Sequence, residues 1–189
     1  MTIPALTSAD TSAVAPTELV SALQQSRVGR DTQRYDGARR LLACIVIVRQ
    51  RVDSADRDVL LISSSKHAGV WILPKGGWES DETLEHCALR EAEEEAGVAG
   101  EIVRSLGEPL DFTTSKGSPH RFYGFEVMCQ KQYDHWPESD RRREWVKLTD
   151  ARERLAHRPE LVEMITRVQQ LDEEDDVEAE RRSNAQRYH

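Results

Sequence analysis

The sequence predicts an α/β sandwich, and three observations predict it. Residues 41–48 (LLACIVIV) are a continuous apolar run of strand length. Such a run suits a strand buried on both faces. A helix pattern follows a glycine turn at 75–77 and stops at Gly97. Short strand patterns then alternate with helix patterns to about residue 170, the rhythm of a sheet covered by helices.

The elements justify themselves in order. Residues 1–32 read as a flexible extension, rich in Ala, Ser, Thr and Pro near its start. Residues 18–23 within it can form a short helix. Residues 33–170 read as the folded domain. After the 41–48 strand, residues 49–57 are charged and hairpin-like, and Val59 to Ile62 return as a strand. Trp71, Ile72 and Leu73 lead into Pro74, which fixes the approach to the glycine turn. Asp81 is placed to cap the next helix, with Glu82 in its first turn and Gly97 at its left-handed stop. Leu84, Ala88, Ala92 and Val98 face the core. Residues 101–110 and 121–129 read as strands on either side of a Thr-Thr-Ser-Lys-Gly-Ser loop. Residues 144–148 form a short strand. Asp150 can cap a helix over 151–156, and Pro159 can start one running to about 170. Residues 171–189, acidic and then basic, read as a solvated charged tail or a fraying helix end.

Composition narrows the function. The chain has 189 residues, 32% of them charged, and a net charge of −8. That balance argues against a general nucleic-acid or membrane binder. The three cysteines, Cys44, Cys87 and Cys129, are isolated and lack zinc spacing. Their odd number fits reduced thiols in a cytoplasm or nucleus. No early segment is apolar enough for a signal peptide or membrane span.

The chemistry lies in the helix that follows the glycine turn. Residues turn by about 100° each, so Glu91, Glu94 and Glu95 fall within an arc of about 100°. Like charges so close destabilise a helix unless something neutralises them. Hard oxygen ligands on a rigid helix suit Mg²⁺ or Mn²⁺, which bind carboxylates and phosphates together. Glu93 is read as a solvated face residue.

From Gly76 the spacing is Gly, five residues, Glu82, seven residues, Arg90-Glu91, Ala92, one residue, Glu94-Glu95, one residue, Gly97, Val98. This resembles the Nudix hydrolase signature. The resemblance implies a Nudix-type α/β/α sandwich with a mixed β-sheet between helices. It also implies divalent-metal hydrolysis of a phosphoanhydride. A closer resemblance covers roughly 33–160, carried by Tyr35-Asp36-Gly37, Leu60 to His67, Trp71 to Gly77, and Arg143-Glu144-Trp145. It is to the diphosphoinositol polyphosphate phosphohydrolases, with a Pro-Lys-Gly-Gly turn more like fungal and plant members. That family cleaves the β-phosphate of diphosphoinositol polyphosphates and hydrolyses diadenosine penta- and hexaphosphates. Some members cut inorganic polyphosphate. Gln33, where relatives can carry Arg, and the extra loop content at 113–118 depart from the pattern.

Cations gather outside the box: Arg39 and Arg40, Lys66 with His67, Lys75, His120 with Arg121, and 141–143 with Lys147. A substrate with many phosphates needs several such contacts. The resemblance places phosphates near Arg39, Arg40, Ser63, Ser65, Lys66, His120 and Arg121. Arg142, Arg143 and Lys147 are placed more loosely, and the Lys75, Gly76 and Gly77 turn completes the contact set. It further implies metal held by Glu91, Glu95 and the Lys75 main-chain carbonyl, with Arg90 orienting the glutamates. Glu94 is the base that accepts the water proton, or else a ligand for a second metal. Glu82 has a structural or outer-shell part. The implied partner is a small polyphosphorylated molecule. Two alternatives stand beside this reading: a narrower nucleotide or mRNA-cap hydrolase, and a binding module without turnover.

Overall fold

The computed structural model describes residues 31–52 and 56–187. The expected helix at 18–23 lies outside the described residues. A mixed sheet is built from β1 (Tyr35–Asp36), β2 (Arg39–Gln50), β3 (Arg57–Ser63), β4 (Trp71–Ile72), β5 (Lys75–Gly77), β6 (Val98–Ser105), β7 (Leu110–Thr113), β8 (Pro119–Gln132) and β9 (Arg143–Lys147). Among the described residues there are three helices: α1 (Leu84–Ala96), α2 (Leu148–Arg154) and α3 (Pro159–Arg187).

The apolar run predicted as a central strand is the heart of β2. Its side chains alternate between the two faces of the sheet, and all of residues 41–48 are buried. Both faces are therefore covered. β2 runs parallel to β8 from Arg40 beside His120 to Val48 beside Met128. It runs antiparallel to β1, β3 and β5. The parallel pairing brings the starts of β2 and β8 to one end of the sheet. β3, running the other way, delivers its last residue, Ser63, toward that same end. Burying each large aliphatic side chain of this core contributes about 1.5–3 kcal/mol.

Several element ends differ from expectation. Thr83, not Asp81, caps α1: its backbone is extended and its hydroxyl accepts the His86 N–H at 3.2 Å. Glu82 precedes the helix, where its carboxylate is engaged by Arg90. Leu84 is only half buried, whereas Ala88, Ala92 and Val98 are core residues as expected. Gly97 stops the helix at φ 62°, the left-handed conformation read from its position. The single strand expected over 101–110 is two, β6 and β7, with Gly107 at φ 84° between them. α2 begins at Leu148, so Asp150 lies in its first turn and is not its cap.

α3 starts at Pro159 as expected but continues far past 170. Leu161, Met164, Ile165 and Val168 anchor its first half in the core. Beyond Asp172 its described side chains are exposed. The junction is held by ions. Glu126 on β8 is fully buried and accepts from Arg57 and from Arg104, the latter at 2.7 Å. Both arginines also bond Asp172. The tail, read as solvated or as a fraying helix end, thus continues a helix whose middle is clamped to the sheet. No helix among the described residues is long and apolar enough to cross a membrane.

Candidate active site

The three glutamates are buried despite their charge: Glu91 is 7% exposed, Glu94 9% and Glu95 8%. An ionised carboxylate buried alone would be prohibitively costly, so partners are required. Arg90 supplies one set. Its guanidinium donates to Glu82 at 2.7 and 2.9 Å, to Glu91 at 2.7 Å, to Glu94 at 3.3 Å and to the Gly77 carbonyl at 3.0 Å. Arg90 thus touches Glu82 and two of the three box glutamates at once.

Glu95 faces differently. One oxygen accepts the Lys75 backbone N–H at 2.8 Å, and the other accepts Arg141 at 2.8 Å. The glycine turn is therefore sewn directly to the helix. Gly76 is required by space and not by a left-handed backbone. A Cβ there would sit 1.9–2.0 Å from the Glu91 carboxylate. The carboxylate occupies the place a side chain would take. The Cys87 thiol also donates to the Gly77 carbonyl at 3.3 Å.

Negative charge outweighs positive in this cluster. Burial, and next the neighbouring charge of Glu95, push the Glu91 carboxyl up to about 8. Glu93 is half buried, not solvated, and burial with Glu94 also raises it. The thiols sit protonated: burial pushes Cys44 up to about 12 and raises Cys87 further. Among the described residues, no three His, Cys, Asp or Glu side chains already converge as a metal-binding group. Glu91 and Glu94 are turned onto Arg90, and Glu95 onto Arg141. The donor set nonetheless suits a divalent cation: hard carboxylate oxygens, surplus negative charge, and a cradle at Gly76 that admits no side chain.

The other sequence-predicted residues divide into three groups. Arg39, Arg40, His120 and Arg121 meet where β2 and β8 begin, and β5 brings Gly76 and Gly77 against β2 near there. Arg39 and Arg121 share Asp36 and Asp111 in an exposed ion network. Arg121 holds the Asp111 carboxyl below the usual range. Arg40 donates to Gln33 at 2.6 Å, and Gln33 in turn bridges three backbone carbonyls. The departure at Gln33 is thus a structural crosslink.

Ser63, Ser65, Lys66 and Arg142 form the second group at the exit of β3. The Ser63 hydroxyl accepts the Arg142 N–H at 2.9 Å, and Ser65 and Lys66 are exposed. Arg142 lies over the Trp71 ring at 5.4 Å.

The third group is not brought to the site. Arg143 donates to the carbonyls of Ala96 and Tyr133 and stacks on Trp136 at 3.8 Å. Its guanidinium caps the carbonyl end of α1. Lys147 lies beside Asp58 in the strand register, at the opposite end of β3 from Ser63. It lines a recess of about 480 Å³ together with Arg51, Trp145 and Arg154. Arg143 and Lys147 stand at the two ends of β9, beside Ile62 and Asp58 respectively, so one strand carries them to different ends of β3.

Sequence reasoning counted Arg141 among the gathered cations but gave it no role. It stood in a run of three arginines, and nothing in the run marks which member is buried. Glu138, three residues earlier and bonded to it at 2.7 Å, was the available signal.

Comparison with known proteins gives the same frame. Residues 39–168 match the NUDIX domain family. The chain is 41% identical to Nudix hydrolase 21, chloroplastic, of Arabidopsis thaliana over 139 residues, which is 72% of this chain and 70% of that protein. It is 37% identical to human diphosphoinositol polyphosphate phosphohydrolase 3-alpha over 134 residues, 68% of this chain and 77% of that one. Among solved structures, an Ap4A hydrolase binary complex from C. elegans shares the fold with a TM-score of 0.56 at 23% identity, covering 69% of this chain and 96% of that chain. The buried glutamate helix, the glycine turn sewn to it and the family match together make this chain a member of the Nudix hydrolases.

Proposed function

We propose that the chain hydrolyses phosphoanhydride bonds in small, phosphate-rich molecules, with diphosphoinositol polyphosphates and diadenosine penta- and hexaphosphates as substrates and Mg²⁺ or Mn²⁺ as cofactor. The observation that carries this reading is the cluster of three buried glutamates facing a turn that excludes side chains. Burial of that much negative charge costs stability, and a cation with a polyphosphate would use it. The relative named as a diphosphoinositol polyphosphate phosphohydrolase supports the substrate class.

In this reading Glu91, Glu95 and the Lys75 main-chain carbonyl would hold the metal. A divalent ion bound there supplies charge neutralisation and a fixed orientation for the reacting oxygens. Arg90 keeps Glu91 and Glu94 in place through the bonds it makes to both. Glu94 accepts the proton of the attacking water as the water oxygen bonds to phosphorus. The anhydride P–O bond breaks on the opposite side, and the leaving phosphate departs with its electron pair. Arg39, Arg40, His120 and Arg121 at one sheet end, and Ser63, Ser65, Lys66 and Arg142 at the exit of β3, receive the remaining phosphates. Lys75, Gly76 and Gly77 lie between these two groups.

The test is a parallel comparison of phosphate release from diphosphoinositol pentakisphosphate, diadenosine hexaphosphate and inorganic polyphosphate under one Mg²⁺ condition. Release from the first two, abolished by chelation, is expected. Binding of all three with release from none would replace the enzyme with a binding module.

A further inference from the structure

Arg141 is the buried cation that the reaction scheme leaves without a part. It is 7% exposed and belongs to the loop joining β8 to β9. Its guanidinium reaches three elements at once. It donates to Glu95 Oε1 on α1 at 2.8 Å, to Glu138 Oε2 in its own loop at 2.7 Å and to the Ser63 carbonyl ending β3 at 3.0 Å. Glu95 Oε2 is held separately by the Lys75 N–H. With each oxygen gripped from a different side, the carboxylate cannot swing. A carboxylate has about four lone-pair sites, so two are left for a further ligand.

The loop that carries Arg141 is tied down along its length. The Tyr133 N–H donates to the Gly97 carbonyl at 2.8 Å, and the Glu138 N–H to the Glu94 carbonyl at 3.2 Å. Ser63 is locked to the same loop, since its N–H donates to the Arg142 carbonyl at 2.9 Å and its hydroxyl accepts the Arg142 N–H.

We propose that Arg141 is a positioning residue that sets the Glu95 carboxylate for the divalent cation and links it mechanically to the Ser63 end of β3. This rests on the hydrolase reading for the roles of Glu95 and Ser63. Its consequence is that a phosphate docking at Ser63 is felt at Glu95 through one side chain. A guanidinium suits this better than an ammonium, because a planar fork can hold three acceptors in fixed directions.

The test uses Arg141→Ala and Arg141→Lys in the full chain, with Mn²⁺ affinity measured by calorimetry and kcat and KM measured separately at saturating metal. Partners that orient metal ligands typically account for about 10–100-fold in affinity or activity. The expected result is a loss of that order in both Mn²⁺ affinity and kcat for Arg141→Ala, with KM nearly unchanged. Arg141→Lys is expected to recover thermal stability but not kcat. If Arg141→Ala does not fold, Arg141→Lys carries the test alone. A folded variant with wild-type Mn²⁺ affinity and kcat overturns the proposal and leaves Arg141 as a structural pin. The Mn²⁺ titration decides the matter even if the wild-type chain hydrolyses none of the tested compounds, so the two failures stay distinct.

Discussion

Two regions of this molecule bury carboxylates, and they do so in opposite ways. On β8, Glu126 is fully buried between Arg57 and Arg104, which also hold Asp172 of α3. One buried acid there meets two bases, and the remaining acids lie toward solvent. On α1, Glu82, Glu91 and Glu94 crowd around the single guanidinium of Arg90, and Glu95 shares Arg141 with Glu138. The first cluster is satisfied within the protein. The second holds more negative charge than its own arginines neutralise. A structural ion cluster closes on itself, whereas a site keeps charge in reserve for a ligand.

Substitutions can break or sharpen that contrast, and the largest effect is expected at the box. Glu94→Gln should lower kcat by about 10²–10⁴, the range for a lost general base. The metal-free protein should stay folded, since one repulsive charge has gone. Steady-state hydrolysis with a thermal melt checks both halves. The mirror-image experiment is Glu126→Gln. It removes the buried charge the two arginines share, leaving them only the more exposed Asp172, and should cost up to about 3–5 kcal/mol of stability, the penalty for opening a buried ion cluster. Its kcat per folded molecule should hardly change, as denaturant titration and active-fraction assays would show.

Gly76→Ala comes next. Its Cβ would displace the Glu91 carboxylate, which lies at the end of a movable side chain. Activity should fall on the order of 10²-fold, because a misplacement of about 1 Å costs that much. Stability should change far less, and comparing kcat with the melting temperature separates the two. Smallest is Lys147→Ala, which sits at the opposite end of β3 from Ser63. Its KM should match wild type, while Lys66→Ala at the exit of β3 should raise KM. Equal shifts in both would contradict the grouping of cations described here.

These contrasts also show what the sequence made legible. The apolar run in β2, the Gly97 stop and the glutamate spacing on α1 are local patterns. A strand period, a left-handed glycine and a helical arc can each be read from neighbouring residues. What escaped depended on partners far away in the chain. Arg141 reaches Ser63 across 78 positions and Glu95 across 46. Arg142 precedes β9 and lies over Trp71, whereas Arg143 begins the strand and stacks on Trp136, and nothing in the local sequence separates the two. The full length of α3 was hidden because its acidic residues read as a solvated tail or a fraying end. The ion clamp from Arg57 and Arg104 to Asp172 is a tertiary contact that no local window contains.

The central claim is that the α1 cluster stores negative charge which a divalent cation relieves. Glu91 provides the handle. Its carboxyl is pushed up to about 8 in the folded chain from an ordinary 4.5. The unfolded chain therefore releases that proton first. The stability it contributes is present below the ordinary value and lost as pH rises toward 8. The decisive measurement is the melting temperature from pH 5 to pH 8, with and without Mg²⁺, for wild type and Glu91→Gln. The account predicts that metal-free wild type loses stability relative to Glu91→Gln as pH rises, and that Mg²⁺ restores it in wild type alone. Parallel curves for the two proteins, with no response to Mg²⁺ in either, would contradict it.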